Sequence, residues 1–222
     1  MIYIVGDSHV SIFSGVDKAE GRVHIQPEFG YCYTLSNGSL RHHNEFKQEI
    51  PYFCAIKTGS NTAYNSFDKL PRIEQALKEY GVGDDDYIFT CFGEIDIRNH
   101  IGFHLNGKTP EEVIRNTVNR YMKTILHLKD SYRVGVYGSP PSSVGNSGNY
   151  GDVVIRNKMT ILFNDYLRTK CDEHSIVFKD ISKLMIHPDG TTDVKYLVDE
   201  LHLSKEAIPL IINEFKDIIN YE

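Results

Sequence analysis

Apolar residues along the chain fall into two alternating patterns. Short unbroken runs lie at 2–5 (Ile-Tyr-Ile-Val), 52–56, 87–92, 133–137 and 175–178, and three of them stop at a glycine, Gly6, Gly93 and Gly138. Runs without polar alternation suit strands buried on both faces, as in a parallel sheet. Between them the spacing turns helical. Residues 71–80 put Ile73, Leu77 and Tyr80 on one face, with Gly81 as the stop. Thr109-Pro110-Glu111-Glu112 reads as a helix start, with Thr as the cap and Glu three residues later. The helix that follows aligns Val113, Thr117, Tyr121, Ile125 and Leu128. Two more carry Ile155, Met159, Leu162 and Tyr166, then Ile208, Ile211, Phe215 and Ile218, with Pro209 near the start of the last.

This alternation predicts an α/β protein: a three-layer α/β/α sandwich with about five parallel strands, in a single domain over residues 1–222. Two stretches stand outside it. Residues 14–49 contain several glycines and an Asn37-Gly38 hairpin signal, so they read as an excursion overhanging the sheet. Residues 139–151 are rich in Ser, Gly, Pro and Asn and read as a loop.

Composition narrows the function. The chain has 222 residues, of which 41% are hydrophobic and 24% charged, so a disordered or fibrous protein is excluded. No apolar run reaches the roughly 18–20 residues of a membrane helix, so no membrane partner is expected. A net charge of −6 argues against nucleic acid as a partner. The four cysteines, Cys32, Cys54, Cys91 and Cys171, lack zinc spacing and are expected as free thiols. The first apolar run follows Met1 with no basic region or cleavage site, so a cytoplasmic protein is expected.

In an open parallel sheet, ligands bind at the carboxyl ends of the strands. Gly6-Asp7-Ser8-His9 lies there, directly after the first strand. A serine at a strand-to-helix turn exposes its hydroxyl beside free backbone N–H groups, which suits a nucleophile whose substrate develops an oxyanion. Taken alone, Ser8 would serve equally as a helix cap. Asp199-Glu200-Leu201-His202 lies in a loop before the last helix and reaches the same edge. Asp three residues before His lets the carboxylate turn back onto the imidazole and orient it.

Together these two motifs, at opposite ends of the chain, resemble the SGNH (GDSL-type) hydrolases. The resemblance implies a flavodoxin-like sandwich and ester hydrolysis, often of acyl groups on carbohydrates or lipids. It implies Ser8 as nucleophile, His202 as base and Asp199 as its orienting acid. The family's second block supplies an oxyanion-hole glycine, and Gly59 in Lys57-Thr58-Gly59-Ser60-Asn61 stands at that place. The third block departs from the family. Its form is Gly-x-Asn-Asp, but here Gly93-Glu94-Ile95-Asp96 puts Ile95 where an asparagine donates to the oxyanion. Asn61, Arg98 or Asn99 would have to compensate.

The resulting expectation is a serine esterase acting on a small-molecule or carbohydrate ester. Ser8, Gly59 and Asn61 would form the oxyanion hole. Arg98, Asp96 and Glu94 would contact substrate or else form a polar network supporting their loop. No cofactor is expected. A metal at Asp96, His100 and His104 is not expected either, since no helix is foreseen there and no fourth ligand is evident. Transfer of the acyl group to another acceptor would use the same residues. A non-catalytic binding module on the same fold is the remaining alternative, favoured by Ile95.

Overall fold

The structure is a computed structural model that describes residues 1–14, 17–19, 22–24, 30–36, 39–42, 52–59, 61–142, 145 and 150–219. In chain order its strands are β1 (Ile2–Gly6), β2 (Asp17–Ala19), β3 (Arg22–His24), β4 (Gly30–Ser36), β5 (Ser39–His42), β6 (Phe53–Lys57), β7 (Tyr87–Cys91), β8 (Arg133–Tyr137) and β9 (Val177–Lys179). Its α-helices are α1 (Leu70–Glu79), α2 (Ile101–His104), α3 (Pro110–Lys129), α4 (Val153–Glu173) and α5 (Ile208–Phe215). The five expected runs all form strands and pair in parallel, in the order β6-β1-β7-β8-β9. This is the flavodoxin-like order.

Two apolar clusters account for the three layers. Tyr3, Val5, Cys54, Ile56, Ile88, Val134 and Val136 join α1, α3 and α4 on one face of the sheet. Ile2, Ile4, Phe53, Ala55, Phe89 and Tyr137 join α5 and the turn after β1 on the other. Successive strand residues thus alternate between layers, and both sides of each central strand are buried. The Thr109 capping box forms as expected: Glu112 N–H donates to Thr109 Oγ1 at 3.2 Å, and Thr109 N–H donates to Glu112 Oε2 at 2.7 Å. Among the described residues, no helix is long and apolar enough to cross a membrane.

The excursion at 14–49 contains the expected hairpin; the correction is that β4 and β5 widen the sheet instead of overhanging it. β4 pairs in parallel with β6, and β5 returns antiparallel to β4 with Ser36 opposite Ser39. The expected turn residues, Asn37-Gly38, lie outside the described residues. β2 and β3 form a separate two-stranded ribbon.

The helix at 153–173 is a second correction. Ile155 is exposed, and the buried face carries Arg156, Asn157, Thr160, Phe163, Asn164, Leu167 and Cys171. Its polar members hold a loop. Asn164 accepts from Ser139 N–H and donates to Ser139 O, each at 2.9 Å. Asn157 accepts from Ser142 N–H at 2.9 Å and donates to Gly190 O and Thr192 Oγ1. Arg156, with no exposed surface, donates to Ser142 Oγ at 2.9 Å and to the carbonyls of Gly145 and Gly151. Replacing Arg156 by Met removes three donors that tie this loop to the helix, including the one to the buried Ser142 Oγ. The expected cost is about 3 kcal/mol, read as a fall of roughly 6–12 °C in thermal midpoint. A midpoint within about 2 °C of the parent would show that this network holds nothing.

Candidate active site

The parallel order reverses direction beside β1, since the chain goes first to β6 on one side and then to β7 on the other. In open α/β sheets the ligand crevice lies at such a switch point, outside the strands' carboxyl ends. Gly6, the last residue of β1, pairs with Lys57 and Cys91 and lies between them. A Cβ on Gly6 would stand 2.1 Å from the Cys91 carbonyl oxygen, so only glycine fits there. The Gly6 carbonyl accepts from Thr58 N–H at 2.7 Å and Thr58 Oγ1 at 2.9 Å, which ties the nucleophile's turn to the loop after β6.

Asp7 turns the chain. Its Oδ1 accepts from His9 N–H at 2.9 Å, and Ser8 opens a seven-residue 3₁₀-helix, Ser8–Ser14. Burial pushes the Asp7 carboxyl up to about 6, against the pull of His9. Ser8 stays half-exposed at the crevice, and its Oγ lies 2.8 Å from His202 Nε2.

The other half of the pair is built by a tight loop. Leu197 bridges Leu203, and Val198 N–H donates to His202 O at 2.9 Å. Glu200 takes the left-handed conformation at φ 63°, which lets the chain double back within three residues. Asp199 Oδ1 then accepts from the backbone N–H of His202 at 2.7 Å and of Leu201 at 3.3 Å. The same carboxylate faces His202 Nδ1 at 2.8 and 2.9 Å. Burial works against a charged Asp199, but these contacts from His202 and Leu201 outweigh it and hold its pKa below the usual carboxylate value. The spacing of Asp-x-x-His is thus realised as a carboxylate gripping both the backbone and the ring of its histidine.

Behind the pair lies a buried polar group that the sequence did not single out. The His9 ring packs against His202 with centroids 5.1 Å apart. His9 Nε2 is 3.5 Å from Glu94 Oε2, an ion-pair distance too long for a well-formed hydrogen bond. Neither ring nitrogen of His9 has a hydrogen-bond partner among the described residues. Glu94, only 2% exposed, accepts from Arg98 Nε at 2.6 Å and Nη2 at 3.2 Å. Burial lowers the pKa of His9, but Glu94 and Asp7 outweigh burial and Arg98, and the net shift is upward. Burial likewise disfavours a charged Glu94, yet His9 and Arg98 hold its pKa below the usual value.

The third block therefore supports the site more than it lines it. Glu94 points to His9 and Arg98, not to the crevice. Asp96, also buried, accepts from the N–H groups of Ala63 at 2.6 Å and Tyr64 at 3.2 Å. These contacts form the polar network that was the alternative reading of both carboxylates, and Asp96 pins the loop that carries Gly59. Burial raises its carboxyl to about 7, against those two donors. Arg98 keeps a side chain 20% exposed. Gly59 adopts φ 87°, a conformation open to glycine. Asn61 Nδ2 donates to Thr58 O at 2.8 Å, and Ile95 is half-buried.

Residues 96–104 are helical after all. A π-helical turn, Asp96–His100, runs into α2. His104 stacks on Tyr64 at 5.3 Å. Among the described residues, no three His, Cys, Asp or Glu side chains converge as a metal site would require.

No protein-family model and no curated protein matches the sequence. Solved structures do match over nearly its whole length. A GDSL-like lipase from Bacteroides thetaiotaomicron superposes with TM-score 0.58 at 11% identity, covering 98% of this chain and 86% of that one. A lipase/acylhydrolase from Enterococcus faecalis gives 0.54 at 16%, covering 100% and 99%. A carbohydrate acetylesterase from Sinorhizobium meliloti gives 0.54 at 16%, covering 98% and 99%. The chain has the fold of the SGNH (GDSL-type) hydrolases.

Proposed function

We propose that the protein is a serine hydrolase of carboxylic esters, with Ser8 as nucleophile, His202 as general base and Asp199 as its orienting acid. One observation carries this: the unbroken contact from Ser8 Oγ through His202 to the Asp199 carboxylate. Ser8 Oγ attacks the ester carbonyl as its proton passes to His202 Nε2. The tetrahedral oxyanion is held by the N–H groups of Ser8 and Gly59. Collapse expels the alcohol, which takes the proton from His202. A water then gives its proton to His202 and attacks the acyl-enzyme. The carboxylic acid leaves, and Ser8 Oγ recovers the proton.

The substrate we propose is a small O-acyl ester of a carbohydrate. It is supported by the carbohydrate acetylesterase that shares the fold. Arg98, partly exposed beside the site, is suited to an anionic group on such a substrate. A cytoplasmic location is compatible with the free, buried thiols of Cys91 and Cys171.

Ile95 cannot donate to an oxyanion, and Asn61 is the proposed replacement. Thr58 O holds one of its amide hydrogens and so orients the other. The test is hydrolysis of a short-chain nitrophenyl ester by the purified protein, compared with Asn61→Ala. The parent should turn over, and the variant should lose at least about tenfold in kcat with KM little changed. A raised KM at constant kcat would make Asn61 a substrate anchor. No turnover by the parent on any short-chain ester would count against the esterase reading.

A further inference from the structure

We propose that His9 is a positioning residue that sets the basicity of His202: held as a buried cation between Asp7 and Glu94, it keeps the neighbouring imidazole unprotonated into mildly acidic solution. This rests on the reading of His202 as a base.

The geometry is that of two imidazoles sharing one field. Their centroids are 5.1 Å apart with the planes tilted by 30°. His9 is 3% exposed, so water screens its charge little. An uncharged histidine here would bury two ring nitrogens with no hydrogen-bond partner among the described residues. Such orphaned polar atoms are rare in folded proteins. Protonation makes Nε2 a charged donor facing Glu94, and the Asp7 carboxylate adds a coulombic pull. Glu94 Oε2 stands 3.5 Å from Nε2, and Asp7 holds the His9 backbone N–H. Among the described residues, the other charged groups around the pair are Arg98, which opposes a cationic His9, and Asp199, which favours a cationic His202. The upward shift of the His9 pKa agrees with this balance.

The consequence has a definite sign. A cation beside His202 disfavours a second proton there, so the pair titrates as a coupled unit and His202 takes its proton last. Two unit charges about 5 Å apart, at an effective dielectric near 20, oppose each other by roughly two pK units. Asp7 and Glu94 are present with and without the His9 charge, so removing that charge should raise the pKa of His202 by about two units.

The experiment is an NMR titration of histidine Cε1–H signals in the intact chain, with His202 assigned by its loss in His202→Gln. The variant is His9→Phe, which keeps a ring against His202 but cannot carry charge. The His202 midpoint should move up by about two units, and the acid limb of kcat/KM should move with it. Activity on the alkaline plateau should stay within about threefold. Should the Phe variant fail to fold, His9→Gln removes the same charge with a smaller, polar side chain and makes the same prediction. An unmoved His202 midpoint in the folded variant would overturn the proposal and leave His9 as packing. The titration needs no turnover, so a parent that hydrolyses no ester would contradict the esterase reading without touching this result.

Discussion

Replacing Ser8 by Ala is expected to lower kcat for ester hydrolysis by at least about 10⁴-fold, while the fold stays intact. The size follows from the role: without the oxygen there is no acyl-enzyme, and only binding and the backbone donors remain. Stability should change by under about 1 kcal/mol, because the turn is held by other atoms. Ser11 Oγ donates to the Ser8 carbonyl, which alanine retains, and Asp7 keeps its bond to His9 N–H. Steady-state kinetics and a thermal melt on the same preparation check both parts. Residual turnover within tenfold of the parent would remove Ser8 from the chemistry.

Asp199→Asn should cost about 10³- to 10⁴-fold in kcat, with KM changed little. The carboxylate does two jobs. It accepts two backbone N–H groups that shape the loop, and it accepts from His202 Nδ1. An asparagine keeps a carbonyl oxygen for the backbone but turns an NH₂ toward Nδ1. That forces the tautomer with hydrogen on Nε2, which points a donor at Ser8 instead of an acceptor. The loop survives, and the base does not. A loss below tenfold would mean that His202 does not depend on this carboxylate for its tautomer.

The parts of the molecule that the sequence disclosed are those whose physics is local. A strand buried on both faces must be apolar throughout, so β1, β6, β7 and β8 stand out. The Asp199–His202 contact closes within four residues. By contrast, β4 has polar and apolar residues mixed (Gly-Tyr-Cys-Tyr-Thr-Leu-Ser), and its pairing with β6 is a tertiary event. Buried Arg156, Asn157 and Asn164 look like a solvent face until the loop they hold is placed against them. Glu94 and Asp96 were legible as polar residues at the right strand end, but not which way they turn. His9 was hidden for the same reason: only the return of the chain 193 residues later brings His202 against its ring. Ile95 was legible as a departure, since no arrangement of neighbours gives an isoleucine a hydrogen to donate.

Covalent labelling distinguishes a Ser8 nucleophile activated by His202 from an ordinary serine hydroxyl. The parent protein is treated with a fluorophosphonate, digested, and the adduct located by mass spectrometry. The expected result is one phosphonylated site, Ser8, formed stoichiometrically, lost in Ser8→Ala and slowed at least about 100-fold in His202→Ala. An unlabelled parent, or a label that persists in Ser8→Ala, would contradict it.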